Sequence, residues 1–297
     1  MRTRRRTRGD IIFDLCNYSF MILLIIITGY PILYLFWCSL SGRAIGNELL
    51  LWPKGFTLLY YRTVFADASI LQSVFISVAR TIIGPVSMLL VTVMAGFVMA
   101  EKEYVLHRFF WIFFLIPMFI GGGMIPGYLL IKALGLCHSF WVYIIPGLFG
   151  GTFNVILIKT YVEQLPGELK DAARIDGAND IVMFFRVILP LIVPIIATIG
   201  LFSAVGHWNS WTDTMLYNSS DPELFTMQYN LMMLVNKYSG IQTIDEVKYL
   251  VATGGFKLTS NGMRACLTFV TMFPIMCVYP LLQKHFAKGL LIGAIKA

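Results

Sequence analysis

Six stretches of this chain run for 19 to 28 residues without an Asp, Glu, Lys or Arg: 15–42, 81–100, 109–131, 133–158, 187–212 and 265–283. A helix needs about 20 apolar residues to cross a bilayer. In lipid each backbone N–H and C=O must be satisfied inside the element, which leaves helices as the economical spanning structure. The runs predict an all-α integral membrane protein with six transmembrane helices. Only 13% of residues are charged and 58% are hydrophobic, whereas soluble domains carry about 25% charged residues.

The third run is punctuated by Gly121-Gly122-Gly123 and Pro126-Gly127, and Lys132 alone separates it from the fourth. A re-entrant segment at either place is compatible with the pattern. Residues MRTRRRTRGD precede the first run, which is too long for a signal-peptide core and lacks a small-residue cleavage site after it. An uncleaved first helix is expected. The five cysteines are scattered through apolar sequence, without metal-ligand spacing or a disulfide framework.

Net charge is +7. In a membrane chain this points to cytoplasmic loops, not to nucleic acid. With the N-terminus inside, fourteen Lys and Arg fall in inner segments and eight in outer ones, the five N-terminal arginines weighing most. Both termini are therefore expected in the cytoplasm. The expected layout is a basic N-terminus over 1–10, a membrane domain over 11–284 and a tail over 285–297. The membrane domain includes an inner loop, 162–187, between helices four and five, and a large outer loop, 213–264.

The inner loop reads LPGELKDAARIDGANDIVMFFRVILP from Leu165. Pro166 suits a first helical position, and Glu168 and Asp171 place negative charge in the first turn. Leu169, Ala172, Ala173 and Asp176 recur at three- and four-residue intervals and define one shallow helical face. Gly177 is a natural helix end, with an Asx-type bond from Asp176 expected to fix the turn. A second short helix over 179–186 leads back to the membrane. An interfacial connector and a docking helix for a cytoplasmic partner both fit this periodicity.

The same residues resemble the EAA loop of permease subunits of bacterial ATP-driven (ABC) importers. Asp171-Ala172-Ala173, three residues, Gly177, nine residues and Val187-Ile188-Leu189-Pro190 match that pattern, with Asp171 for Glu and Val187 for Ile. LPGELKDAARIDGA is similar to the sugar-importer branch, as is the Trp-Asn element in Gly206-His207-Trp208-Asn209-Ser210-Trp211. Residues Gly121 to Leu130 resemble subunits for oligo- or polysaccharide uptake, and the tail KHFAKGLLIGAIKA resembles that of the six-span maltose-importer permease. The resemblance implies two permease subunits, this one and a different partner, that form the pathway. It also implies a dimer of cytoplasmic ABC ATPases that receives the loop as a coupling (EAA) helix, and an extracytoplasmic solute-binding protein that delivers a carbohydrate. The inner, plasma membrane is the implied location. Glu168, Asp171, Ala172, Ala173, Asp176, Gly177 and Ala178 become the candidate docking residues.

The chain has no GxxxxGK[ST] phosphate loop, so ATP and Mg are expected on partner subunits, with no cofactor, metal or catalytic residue on this chain. Candidates for the substrate pathway are Arg80, Asn154, His207, Trp208, Asn209 and Trp211. Aromatic and polar side chains in a partly apolar cleft suit a sugar, although an interfacial aromatic belt accounts equally for the Trp-rich group. Arg80, at the edge of the second run, is either a snorkelling cation or a lining group suited to an acidic, alginate-like sugar. A secondary sugar transporter without an ATPase is the alternative. Neither an internal repeat nor many membrane-embedded carboxylates support it. His107, His138, His207 and His285 are dispersed, with no HExxH or GxSxG, which disfavours an intramembrane enzyme.

Overall fold

The structure is a computed structural model and describes residues 8–42, 49–101, 103–149, 151–239 and 260–294. The described chain is helical, and its only extended pairing is the bridge between Ser41 and Phe56. Among the described residues, three helices are long and apolar enough to cross a membrane: Gly9–Ser39 within α1 (Arg8–Ser39), α3 (Ala68–Ala100), and Asn261–Pro280 within α14 (Ser260–Ala294). Two bent pairs bring the number to five. One joins Phe140–Leu148 to Thr152–Glu163 at 45°, and the other joins Asp180–Leu191 to Val193–Asn209 at 75°.

The run expected as the third span is two short helices, α4 (His107–Phe119) and α5 (Met124–Ala133). Ile120 turns to extended backbone, and Gly123 takes φ +80°, a conformation side chains disfavour. The count of six is reached only if that pair makes one further crossing. The second span begins well before residue 81, because α3 starts at Ala68 and buries Ser73, Ser77 and Arg80 along one stripe. Charge-counting stops at Arg80, whereas the helix continues through it. Within the outer loop lie α12 (Thr212–Tyr217) and α13 (Met227–Ser239). Residues 240–259 of that loop are outside the described residues, as are 1–7 of the N-terminus and 295–297 of the tail.

The chain divides into two compact units, residues 1–67 with 233–273 and residues 68–232 with 274–297. In the first, α1 is followed by α2 (Leu59–Ala66). Cys38, Leu50 and Ala265 form a small core, Phe36 packs on Phe269 at 4.9 Å, and Ser39 Oγ meets the Tyr61 hydroxyl at 2.8 Å.

The second unit carries the main core. Here α3 packs against α7 (Thr152–Glu163) and α11 (Val193–Asn209). Lipid is as apolar as a side chain, so close packing holds membrane helices together and small residues mark the tight crossings. At Gly96 a β-carbon would stand 2.6 Å from Ile158, a fully buried residue. Met88, Phe97, Ile158, Phe184, Ile188 and Ile199 belong to one buried cluster. The chain approaches α11 through α9 (Asp180–Val182), a π-helical turn (Met183–Ile188) and α10 (Leu189–Leu191). The wide turn sets Phe184 against Phe97 at 5.1 Å.

Candidate functional site

The EAA-like loop folds as α8 (Gly167–Ile175), with Pro166 as its N-cap and Glu168 in its first turn. Gly177 has φ +79°. The turn is closed by backbone bonds from Gly177 N–H to Arg174 O at 3.0 Å and from Ala178 N–H to Ala173 O at 2.9 Å, the αL ending that glycine favours. The expected Asx-type bond from Asp176 is not among the bonds that close it. The cap of the following segment is Asn179, whose side chain accepts from Val182 N–H at 2.9 Å.

The loop helix does not present its alanines on one face. Ala173 is buried in the main core cluster and Ala178 packs against it, whereas Glu168, Asp171, Ala172, Ile175 and Asp176 are exposed. The open stripe is therefore Glu168, Asp171, Ala172 and Ile175. Of the face that hydrophobic spacing suggested, Leu169, Ala172 and Asp176 are exposed and Ala173 alone is turned inward. Ala173 lets α8 approach its own chain. Ile175, 85% exposed, was absent from the sequence-derived candidates, although its spacing of three and four from Ala172 and Asp171 was a readable signal.

One carboxylate holds α8 to the membrane helices. Glu101, just past the end of α3, is ion-paired with Lys170, and Arg174 Nη2 stands 3.6 Å from its other oxygen. Lys170 and Arg174 are one turn apart, so a single acid receives both.

A cavity of about 340 Å³ is lined by Met88, Gly147, Gly151, Asn154, Phe202, Ser203 and His207. It lies at the bend between α6 (Ile145–Phe149) and α7 and faces α11. Asn154 and Ser203 offer hydrogen-bonding groups, Phe202 is 65% exposed, and His207 Nδ1 is buried without a hydrogen-bond partner among the described residues. No lining residue is formally charged.

The other pathway candidates lie elsewhere. Trp208 is buried and lines a separate apolar groove of about 150 Å³ with residues of α3, α11 and α14. Asn209 is exposed and Trp211 half-buried. Arg80 neither snorkels nor lines the cavity: it is 2% exposed and ion-paired with Asp213 through its two terminal guanidinium nitrogens. Its guanidinium carbon also stands 4.4 Å from the centre of the Tyr143 ring. Ser210 Oγ–H and Thr214 N–H donate to Asp213 Oδ1 at 2.9 and 3.0 Å. Burial pushes the Asp213 carboxyl up. The hydrogen bonds and charge of Arg80, helped by Ser210 and Thr214, more than reverse this and hold it below the ordinary Asp value. Glu101 was missed because an acid outside the apolar runs gives no sign of its partners in sequence.

Residues 89–212 match the family of binding-protein-dependent transport system inner membrane components. Protein LplC of Bacillus subtilis (strain 168) is 34% identical over 303 residues, covering 100% of this chain and 99% of its own. The polygalacturonan/rhamnogalacturonan transport system permease protein YtcP of the same organism is 33% identical over 289 residues, covering 96% and 98%. Among solved structures, a bacterial ABC transporter involved in the import of the acidic polysaccharide alginate contains a similar chain. It has a TM-score of 0.81 at 26% identity and covers 96% of this chain and 100% of that one.

Proposed function

Because this chain belongs to the binding-protein-dependent transport inner membrane components, as a permease of carbohydrate ABC importers, we propose that it forms half of the pathway for an oligo- or polysaccharide and couples passage to a partner ATPase. The observation that carries this reading is 33% identity along 96% of the chain to a polygalacturonan/rhamnogalacturonan transport system permease, within a match to the transport-system inner membrane components. Two features of the site support it. The stripe Glu168, Asp171, Ala172 and Ile175 is a shallow exposed ridge with one apolar knob, suited to a groove on an ATPase dimer. The cavity at Asn154, Ser203 and His207 offers polar groups beside the Phe202 ring, the pattern that binds sugar hydroxyls and faces.

The second permease is a different chain in this reading, both termini of the present one are cytoplasmic, and an extracytoplasmic solute-binding protein delivers the sugar. Closure of the ATPase dimer on ATP draws the two loop helices together. The attached helices then rock as rigid bodies between inward- and outward-open arrangements. No part of ATP hydrolysis is assigned to this chain.

Membranes containing the tagged chain should yield a co-purifying ATPase subunit and vanadate-sensitive ATP hydrolysis in the assembled complex. Purification without an ATPase, with uptake driven by an ion gradient, would establish the secondary-transporter alternative instead.

An acidic, alginate-like substrate is the narrower reading, favoured by the structural neighbour. Arg80 does not support it, since Asp213 neutralises that charge. Uptake of uronate and neutral oligosaccharides, measured side by side, decides between the two substrate classes.

A further inference from the structure

The helix α3 is fastened by polar groups at both ends, and its two fastenings meet the segments that transport must move together. At its C-terminal end Glu101 receives Lys170 and Arg174 of α8. Glu101 is 26% and Lys170 17% exposed, which screens the pair less than a fully solvated one. Beside the clamp, Ala173 is buried in the cluster that contains Phe97 and Ala100 of α3. The loop helix is therefore held by charge and by packing at the same place.

At the other end a stripe of α3 side chains holds the segment 210–230. Arg80 pairs with Asp213. Ser77 Oγ accepts from Met227 N–H at 2.8 Å, Ser73 Oγ receives Asn230 Nδ2, and Gln72 Nε2 donates to Glu223 O at 3.2 Å. Ser73, Ser77 and Arg80 are all at most 2% exposed. They recur at intervals of four and three residues, the stripe a helix presents to one neighbour. Between Arg80 and Glu101 the helix runs unbroken past Pro85, a length of about 30 Å, comparable to the hydrocarbon core of a bilayer. Near the Glu101 end, Gly96 lies tight against Ile158 of α7.

We propose that α3 is the strut that carries displacement of the loop helix to the 210–230 segment on the opposite side, with Glu101 as the positioning residue that engages it. This rests on the permease reading above and goes beyond it, since the force enters through a residue outside the EAA-like loop. An unbroken helix transmits a push along its axis with little loss, and a carboxylate shared by two cations one turn apart resists rotation of α8 better than one ion pair does. Without the clamp α8 remains docked on the ATPase but slips against α3.

The test uses the assembled complex in proteoliposomes with its solute-binding protein and the transported sugar, reading sugar moved per ATP hydrolysed. Glu101→Gln keeps the size of the side chain and removes its charge. Complex yield and ATP hydrolysis should persist, while sugar moved per ATP falls about tenfold, the scale of one lost charge-assisted hydrogen bond. Lys170→Glu should behave alike, and Glu101→Lys combined with Lys170→Glu and Arg174→Glu, which reverses every charge of the clamp, should regain most of the ratio. An unchanged ratio in Glu101→Gln overturns the proposal. So does a loss of complex that the charge swap fails to restore, which marks Glu101 as a packing residue only. Absence of an ATPase from the wild-type preparation would overturn the permease reading itself, and this inference with it.

Discussion

His207 lies across Gly84: a β-carbon on Gly84 would stand 2.5 Å from both Cε1 and Nε2 of the ring. On another side the ring borders the cavity it shares with Asn154 and Ser203. Gly84→Ala should therefore push the imidazole into that cavity. Sugar uptake should fall about tenfold, with a stability loss at the low end of the ~1–3 kcal/mol typical of overpacking. Adding His207→Ala should recover the thermal midpoint of the purified protein without recovering full uptake. If Gly84→Ala transports normally, the cavity is not on the pathway.

Arg80 and Asp213 should prove a structural pair. Removing one member of a buried pair strands the other charge, at a cost of about 3–5 kcal/mol. Arg80→Met and Asp213→Asn should each lower the unfolding temperature in detergent, and Arg80→Met with Asp213→Leu should recover much of it. The Asp213 carboxyl is held below its ordinary value. Its contribution is therefore complete above the unfolded-state pKa and disappears only as pH falls through the lower folded-state value. Thermal midpoints from pH 5 to 8 should owe no slope to this group, and its loss should appear only below about pH 4.

Gly177 should tolerate little. At φ +79° any β-carbon adds strain of about 1 kcal/mol, and asparagine is the least unfavourable replacement. Gly177→Ala should tilt α8 and lower ATP-driven uptake several-fold. Gly177→Trp should abolish uptake while the protein still reaches the membrane, as followed by western blot and sugar accumulation in parallel.

Ile175 should act as the apolar anchor of the exposed ridge. It is 85% exposed, and buried apolar anchors at an interface centre are worth about 1–2 kcal/mol or more. Ile175→Asp should weaken ATPase retention during purification at least about tenfold, while the protein's own thermal midpoint stays within a degree or two. Equal retention would place the docking contact elsewhere.

The helical membrane character and the turn at Gly177 were legible because apolar runs, glycine and residue spacing are local signals. What sequence could not reveal was which of two adjacent alanines meets the core. Ala172 and Ala173 are adjacent, yet only one faces outward, because the main core takes Ala173. Nor could spacing show that Arg80 is neutralised by Asp213, 133 positions away, so a lone cation near a span edge looked like a pathway residue. The same limit hid Glu101, which in sequence is one acid in a short polar loop. His207 and Asn154 were named for their polarity, and the fold does bring them to one cavity. Ser203 and Phe202 join them only because α11 presents that face to the bend before α7.

The cavity yields the sharpest test of substrate contact. Asn154→Leu and Ser203→Ala each remove a group able to bond a sugar hydroxyl, a change worth about 1 kcal/mol, or roughly five-fold in affinity. Phe202→Ala removes an exposed ring on which a pyranose face can rest. Each should raise the half-saturating sugar concentration for uptake in proteoliposomes by about five- to ten-fold, while the maximal rate of ATP hydrolysis with saturating binding protein stays nearly constant. That split separates sugar contact from coupling, since a residue of the Glu101 clamp should alter sugar moved per ATP instead. The lining carries no formal charge, so the rise should be similar for uronate and neutral oligosaccharides. A rise confined to the uronate would show that this cavity reads carboxylates after all, and no change with either sugar would remove it from the pathway.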